Sequence, residues 1–238
     1  MTVVWKNHRH VTPEIMDDPY VPAAPHVLAL DGLRRINRSS HASYHLAKPI
    51  IAMAQRMNLN RLSILDIACG GGDVPIGVVT RARNVGIEID LTLLDRSATA
   101  LRYAAALADR VGIACQFVQS DCLAQLQPSQ FDVVTNSLFL HHILEPIQVV
   151  NFLKNVRETA KRLVVINDLR RCRDARIGAW IGSRILSRSG IVHHDAPVSA
   201  QAAWTVQELA GFAAEAQLDG AVIKRLWPWW MLLVRETS

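Results

Sequence analysis

The apolar run that breaks into glycines, Ile64-Leu-Asp-Ile-Ala-Cys-Gly-Gly-Gly-Asp-Val74, constrains this chain more than any other segment. It reads as a buried strand emptying into a glycine-rich turn, the place where α/β sheets hold nucleotides. The side chains around the turn narrow the ligand. A turn for a dinucleotide pyrophosphate offers backbone N–H groups and a helix N-terminus, with no carboxylates nearby. Here Asp66 closes the strand and Asp73 follows the third glycine. Two carboxylates repel a diphosphate and suit a ligand carrying a cationic amino group and a sulfonium. The spacing also departs from the dinucleotide fingerprint, because Gly70-x-Gly72 is followed at the third position by Pro75. A nicotinamide dinucleotide fits this turn poorly, and S-adenosylmethionine fits it well.

At 238 residues the chain can bury one sizeable core, so one elaborated α/β domain is expected. Half of the residues are hydrophobic and a fifth are charged, as in an ordinary soluble enzyme. No apolar run approaches the roughly 20 residues that span a bilayer. The N-terminal segment lacks the apolar core of a secretory signal, so a cytoplasmic location is expected. Cys69, Cys115, Cys122 and Cys172 form no CxxC pair and no metal-ligand spacing, which implies free thiols in a reduced compartment. No metal is assigned, and Cys69 reads as a small filler of the turn. Between Arg170 and Arg188 lie six arginines and one aspartate, which equals the whole net charge of +5. The basicity is local and does not resemble a nucleic-acid-binding balance.

Residues 1–25 are polar and punctuated by Pro13, Pro19, Pro22 and Pro25, and read as an arm. Residues 26–58 read as two helices broken near Ser39-Ser40, the second starting near Pro49, which a first turn tolerates. Strands are then expected at Leu62–Ile67, Ile87–Leu94, Ala114–Gln119, Phe131–Asn136 and Arg162–Ile166, with helices over about 73–83, 97–111 and 146–160 between them. This alternation implies a parallel sheet with right-handed crossovers. Ala221–Leu226 and Trp230–Val234, split by Pro228, read as an antiparallel pair closing the sheet edge.

In such sheets the ligand lies beyond the carboxyl ends of the strands. The first end supplies Asp66 and the glycines. The second supplies Asp95, placed for the ribose hydroxyls, and beside it Arg96. The third leads into Asp121-Cys122, an acceptor for an adenine amino group and a donor to a ring nitrogen. The fourth ends in Asn136-Ser137-Leu138-Phe139, beside the methyl-donor end.

Residues 62–143 resemble the class I S-adenosylmethionine-dependent methyltransferases. The family's first motif, acid-x-Gly/Ala-x-Gly-x-Gly, is matched by Asp66, Ala68, Gly70 and Gly72. Asp95 matches the acid closing the second strand, and Asp121-Cys122 the acid-plus-small pair after the third. Ser137-Leu-Phe-Leu-His-His-Ile143 is similar to the segment after the fourth strand in the small-molecule branch, which includes quinone-biosynthesis methyltransferases. The resemblance implies an α/β, Rossmann-like, doubly wound, mostly parallel seven-stranded sheet with an antiparallel last strand. It implies S-adenosyl-L-methionine as cofactor, with S-adenosyl-L-homocysteine as product. The expected cofactor set is Asp66, Ala68, Gly70, Gly72, Asp73, Asp95, Arg96, Asp121, Cys122 and Asn136. The domain plan is an N-terminal helical lid over 1–58 and a methyltransferase domain over 59–238, with a cap inserted at about 170–203.

The flanks Pro13-Glu-Ile-Met-Asp-Asp-Pro19, Gly32-Leu-Arg-Arg-Ile-Asn37 and Asn167-Asp-Leu-Arg-Arg171 resemble a bacterial subgroup whose members often accompany type III polyketide synthases. That resemblance implies O-methylation of a hydrophobic phenolic or polyketide-type acceptor such as an alkylresorcinol, in secondary metabolism. C-methylation of a quinol-like ring is the alternative. A phenol must lose its proton, and histidine titrates in the right range. His194, with Asp195 to orient it, is the first candidate base, followed by His45 and His142; His141 adjoins the last. Ile177, Trp180, Ile181 and Ile185 form one helical face among Arg173, Arg176, Arg184 and Arg188. It reads either as a sheet-packed helix with a solvated basic face, or as a cap over the acceptor that touches an anionic substrate or membrane surface.

Two other classes fit the sequence less well. An RNA methyltransferase is disfavoured, because the segment after the fourth strand lacks the paired prolines that grip a flipped base and no Pro-Cys dipeptide exists. A non-catalytic partner protein is disfavoured by the intact acidic set. Oligomeric state is not legible.

Overall fold

The computed structural model describes residues 8–121, 123 and 130–237. After a 3-10 turn at Ile15–Asp17 come α1 (Ala23–Ser39), α2 (Ala42–Arg56), β1 (Arg61–Ile67), α3 (Asp73–Arg83), β2 (Glu88–Asp95), α4 (Ala98–Arg110), β3 (Cys115–Gln119) and β4 (Phe131–Ser137). A second 3-10 turn at Leu140–His142 leads to α5 (Pro146–Thr159), β5 (Ala160–Leu169), α6 (Ala175–Leu186), α7 (Gly190–Ala202), α8 (Val206–Glu215), β6 (Val222–Leu226) and β7 (Trp230–Glu236). The strands form a seven-stranded sheet in the order β3-β2-β1-β4-β5-β7-β6. The first five are parallel, and β7 enters antiparallel between β5 and β6.

Alternation along the strands splits the core into two layers. Leu62 and Ile64 face a layer built with α2, α3 and α4, where Leu46, Ile50, Met53, Val79 and Leu107 are buried. Leu65 and Ile67 face the opposite layer, built with α5 and α8 around Phe152, Leu153, Val156 and Leu209. Burying a side chain of this size contributes roughly 1.5–3 kcal/mol. The N-cap of α4 is Ser97, as expected, and α8 is closed by a Thr205/Glu208 capping box.

Three expectations are corrected. Helix α2 starts at Ala42, after His41 in the left-handed region, so Pro49 lies inside it. Packing of Leu46, Ile50 and Met53 outweighs the ~3 kcal/mol an interior proline costs. Strand β5 runs on to Leu169, which places Asp168 at the sheet rim. The apolar face of α6 is not packed on the sheet: Ile177, Trp180, Ile181 and Ile185 are all exposed, with Ile185 at 75%. Among the described residues no helix is long and apolar enough to cross a membrane.

Candidate active site

Chain order reverses between β1 and β4, so a crevice opens at their carboxyl ends. A continuous cavity of about 1500 Å3 occupies it, larger than the roughly 300–1,000 Å3 of an ordinary ligand pocket. Asp66, Ala68, Gly70, Gly71, Asp73, Asp95 and Asp121 line it. The 3-10 turns, α1, α6 and the Trp227–Trp230 turn line it as well.

Register decides what the acids do. Asp66 lies opposite Thr135, whose hydroxyl donates to Oδ1 at 2.5 Å. The other carboxylate oxygen is buried without a partner. Burial, reinforced by Asp73 and Asp95, pushes the Asp66 carboxyl up to about 7. Burial likewise takes Asp73 up to about 6, against the pull of Asn37, which donates to both of its oxygens at 3.4 and 3.2 Å. The cluster is short of positive charge, and Asn37 ties α1 to it.

Asp95 shapes the turn: its Oδ2 accepts from Gly70 N at 2.8 Å and its Oδ1 from Ser97 N at 2.8 Å. Each oxygen keeps a second lone pair for a ligand hydroxyl. Gly70 has φ +52°, and a Cβ built on it meets nothing within 4 Å. The missing side chain is therefore an open cradle. These observations fit S-adenosylmethionine: an orphaned buried carboxylate oxygen for a cation, paired acceptors on Asp95, and backbone open to close approach.

Several expected residues stand elsewhere. Gly72 does not line the cavity; its Cβ would stand 2.9 Å from Ala104 Cβ, so it is there for helix packing. Asn136 is fully buried and donates to Ile67 O at 2.7 Å, joining β4 to β1 away from the cavity wall. Arg96 lines the cavity, but its guanidinium pairs with Asp17 at 2.8 Å. Exposed Asp121 accepts from Leu123 N at 2.9 Å. Cys122 lies outside the described residues. Burial raises the Cys69 thiol well above its ordinary range, in keeping with a filler.

The candidate bases change most. His194 does not line the cavity; it sits beside Asp195, whose carboxylate accepts from Ile15 N and Met16 N at 2.9 and 3.0 Å. That aspartate anchors the N-terminal arm. His45 is also off the cavity, on α2, where burial and neighbouring His41 lower its pKa. His142 does line the cavity. Burial alone would lower its pKa, yet the 2.8 Å bond to Asp17 and the charges of Glu14 and Asp168 carry it up to about 9. An imidazolium held by carboxylates in this way is a poor base at neutral pH.

Beside it lies an arrangement the sequence did not announce. His141, 3% exposed, has its Nδ1 2.6 Å from Asp168 Oδ1, and its backbone N donates to Asp168 Oδ2 at 3.1 Å. Its Nε2 lies 3.9 Å from Glu14 Oε1, an oxygen that also accepts from Ser199 Oγ at 2.6 Å. Arg9 holds the arm down over this turn, donating to the carbonyls of His141, Ile143, Leu144 and Ala202 while stacking on Trp204.

Residues 64–162 match the family described as a methyltransferase domain. The ubiquinone biosynthesis O-methyltransferase of Pseudomonas fluorescens is 30% identical over 97 residues, covering 40% of this chain and 40% of that protein. The enzyme of the same name from Ralstonia nicotianae is 29% identical over 167 residues, covering 68% of this chain and 65% of that protein. The matched stretches thus span 40% to 65% of these relatives' own lengths. In fold, the chain is similar to magnesium protoporphyrin IX methyltransferase from Synechocystis with bound S-adenosylhomocysteine. That likeness has a TM-score of 0.57 and 14% identity, over 88% of this chain and 94% of that one.

Proposed function

We propose that this class I S-adenosylmethionine-dependent methyltransferase methylates a hydroxyl of a hydrophobic phenolic or polyketide-type acceptor, such as an alkylresorcinol. One observation carries the reading. A single cavity joins the acidic glycine turn to an apolar wall that includes Ile177, Ile181, Leu186, Trp227 and Trp229, with Glu14, His141 and His142 also lining it. The ubiquinone biosynthesis O-methyltransferases that this chain resembles are named for O-methylation, which supports a phenolic acceptor.

When bound, S-adenosylmethionine supplies a methyl group on a cationic sulfur. Asp66 and Asp73 hold its cationic end, Asp95 takes the ribose hydroxyls, and Gly70 lets the ligand lie against the backbone. Because the sulfonium loses charge in the reaction, these residues need not stabilise a growing anion. Their task is alignment in a dry pocket. The arm and α1 (residues 13–40) serve as the lid, which Asn37 couples to Asp73. Helices α6 and α7 serve as the cap. The acceptor hydroxyl is directed at the Glu14/His141/His142 cluster.

The exposed face of α6 borders the cavity and carries exposed Arg173, Arg176, Arg184 and Arg188 around it. An apolar stripe ringed by arginine suits transient contact with an anionic bilayer, from which a lipid-like phenol enters. Co-sedimentation with anionic vesicles, lost on Ile185→Glu, is the expected result.

The direct test incubates the protein with cofactor and a panel of alkylresorcinols and alkylquinols, then reads product mass and derivatisation. An O-methyl ether, with the hydroxyl no longer derivatised, is expected. A product methylated on carbon moves the reading to ring methylation. Methylation of RNA with none of the phenols modified refutes it.

A further inference from the structure

We propose that Glu14, His141 and His142 form a binding site for one divalent transition-metal ion, with Zn2+ the best match to the donors. This ion holds and activates the acceptor hydroxyl. The inference rests on the phenol-methylation reading for its role, though not for its geometry.

The three donors come from two separate pieces of chain. The turn after β4 supplies adjacent histidines, and the arm brings Glu14 across to them. Their ligating atoms all lie within 4.8 Å of one another. His141 Nε2 is 3.9 Å from Glu14 Oε1, and His142 Nε2 is 4.0 Å from Glu14 Oε2. Those separations are too long for hydrogen bonds. Two ligands about 2.1 Å from a tetrahedral ion stand roughly 3.4 Å apart, so a small closure suffices.

The other ring nitrogens carry the stronger argument. His141 Nδ1 is held by Asp168 at 2.6 Å, and His142 Nδ1 by Asp17 at 2.8 Å. Both imidazoles are thus oriented by a carboxylate on Nδ1 and present Nε2 to the same glutamate. Metal-binding histidines are set in this way, with the far nitrogen fixed on an acid. Asp168 is itself fixed, since its carboxylate also accepts from the backbone N–H groups of His141 and Leu169. Ser199 orients Glu14.

Methyl transfer from a sulfonium needs at most one base, and two oriented imidazoles with a shared carboxylate exceed that need. Two nitrogen donors and one oxygen suit Zn2+ better than Ca2+ or Mg2+, which prefer oxygen. Three protein donors leave a four-coordinate ion one position for the acceptor oxygen. Coordination lowers the pKa of the hydroxyl, whose proton passes to solvent.

The test uses the full chain after chelator treatment, titrated with Co2+, followed by visible absorption and challenged with Zn2+. Expected are ligand-field bands of a low-coordinate Co2+ site that saturate at one ion per chain and vanish on adding Zn2+. Glu14→Gln and His142→Gln should abolish the bands while still binding S-adenosylhomocysteine by calorimetry, which shows that they fold. Asp168→Asn should weaken Zn2+ binding about 10–100-fold. Phenol methylation should fall on chelation and return with Zn2+. Absence of bands, or bands that persist in both variants, overturns the site. Full turnover in the chelated protein overturns its role. A bound ion with no phenol methylated would instead refute the acceptor reading and leave the site standing.

Discussion

Asp66 is the residue at which ligand binding and stability oppose each other. Its carboxyl is raised from 3.8 to about 7, so the protonated form is favoured in the fold. A raised acid contributes stability below its unfolded pKa, and that contribution is lost as pH climbs through the folded value. The free protein should therefore lose stability between about pH 4 and 7, by an amount on the order of a few kcal/mol. His142, raised to about 9, loses its contribution in the next window, from 6.5 upward. Asp66→Asn should shrink the first window to the part that Asp73, raised to about 6, contributes, and should melt higher than wild type at neutral pH, yet bind S-adenosylhomocysteine more weakly. An unchanged pH profile would show that Asp66 is not the titrating group. Gly70→Val should cost roughly 1–2 kcal/mol for its left-handed backbone and abolish ligand binding, because its side chain fills the cradle. Gly72→Ala should instead lower the melting temperature through contact with Ala104. Asp66, Gly70 and Asp95 were legible in the sequence because strand ends and glycine spacing are local signals. Glu14 and Asp168 were not. An acid in a proline-rich arm and an acid at a strand terminus look ordinary until the sheet brings both to His141.

At the scale of elements, two glycines mark close seats for α2 and α6. A Cβ on Gly77 of α3 would stand 2.7 Å from Ser43 of α2, and one on Gly178 of α6 would stand 1.7 Å from the Trp229 ring. Gly178→Ala should push Trp229 aside and loosen the cavity mouth. The KM for a long-chain acceptor should rise several-fold while cofactor affinity holds, and a shift in cofactor affinity alone would contradict the placement. The strand–helix alternation was readable because short apolar stretches such as Ile64-Leu65, Leu91-Thr-Leu-Leu94, Val133-Val134 and Leu163-Val-Val-Ile166 recur between helix-length segments. The seventh strand's antiparallel entry was readable from the short Pro228 turn. Helix α7 was not read from the sequence because its apolar residues show weak periodicity and Pro197 sits inside it, whereas α8 carried a legible start in its Thr205-x-x-Glu208 capping box that went unread. The start of α2 was misplaced for a related reason: a proline suited to a first turn lies mid-helix, and tertiary burial decides its position.

For the whole molecule, the sheet gathers a row of carboxylates at one rim, and the arm folds back so that further acids meet a histidine pair across the same cavity. Among the described residues the positively charged groups lining the pocket, Arg96 and His142, are both paired with Asp17, while Arg173, Arg176, Arg184 and Arg188 stand exposed on and around α6. That separation favours a cationic donor inside and an anionic surface outside. The most direct measurement is calorimetric titration of the purified protein with S-adenosylhomocysteine and S-adenosylmethionine, beside NADH as a dianionic diphosphate control. Expected are saturable heats with both sulfur ligands, weakened by Asp95→Ala by about 1.5–3 kcal/mol, and none with NADH. No heat with either sulfur ligand, or displacement of them by NADH, would contradict an acidic rim built to hold a cationic methyl donor.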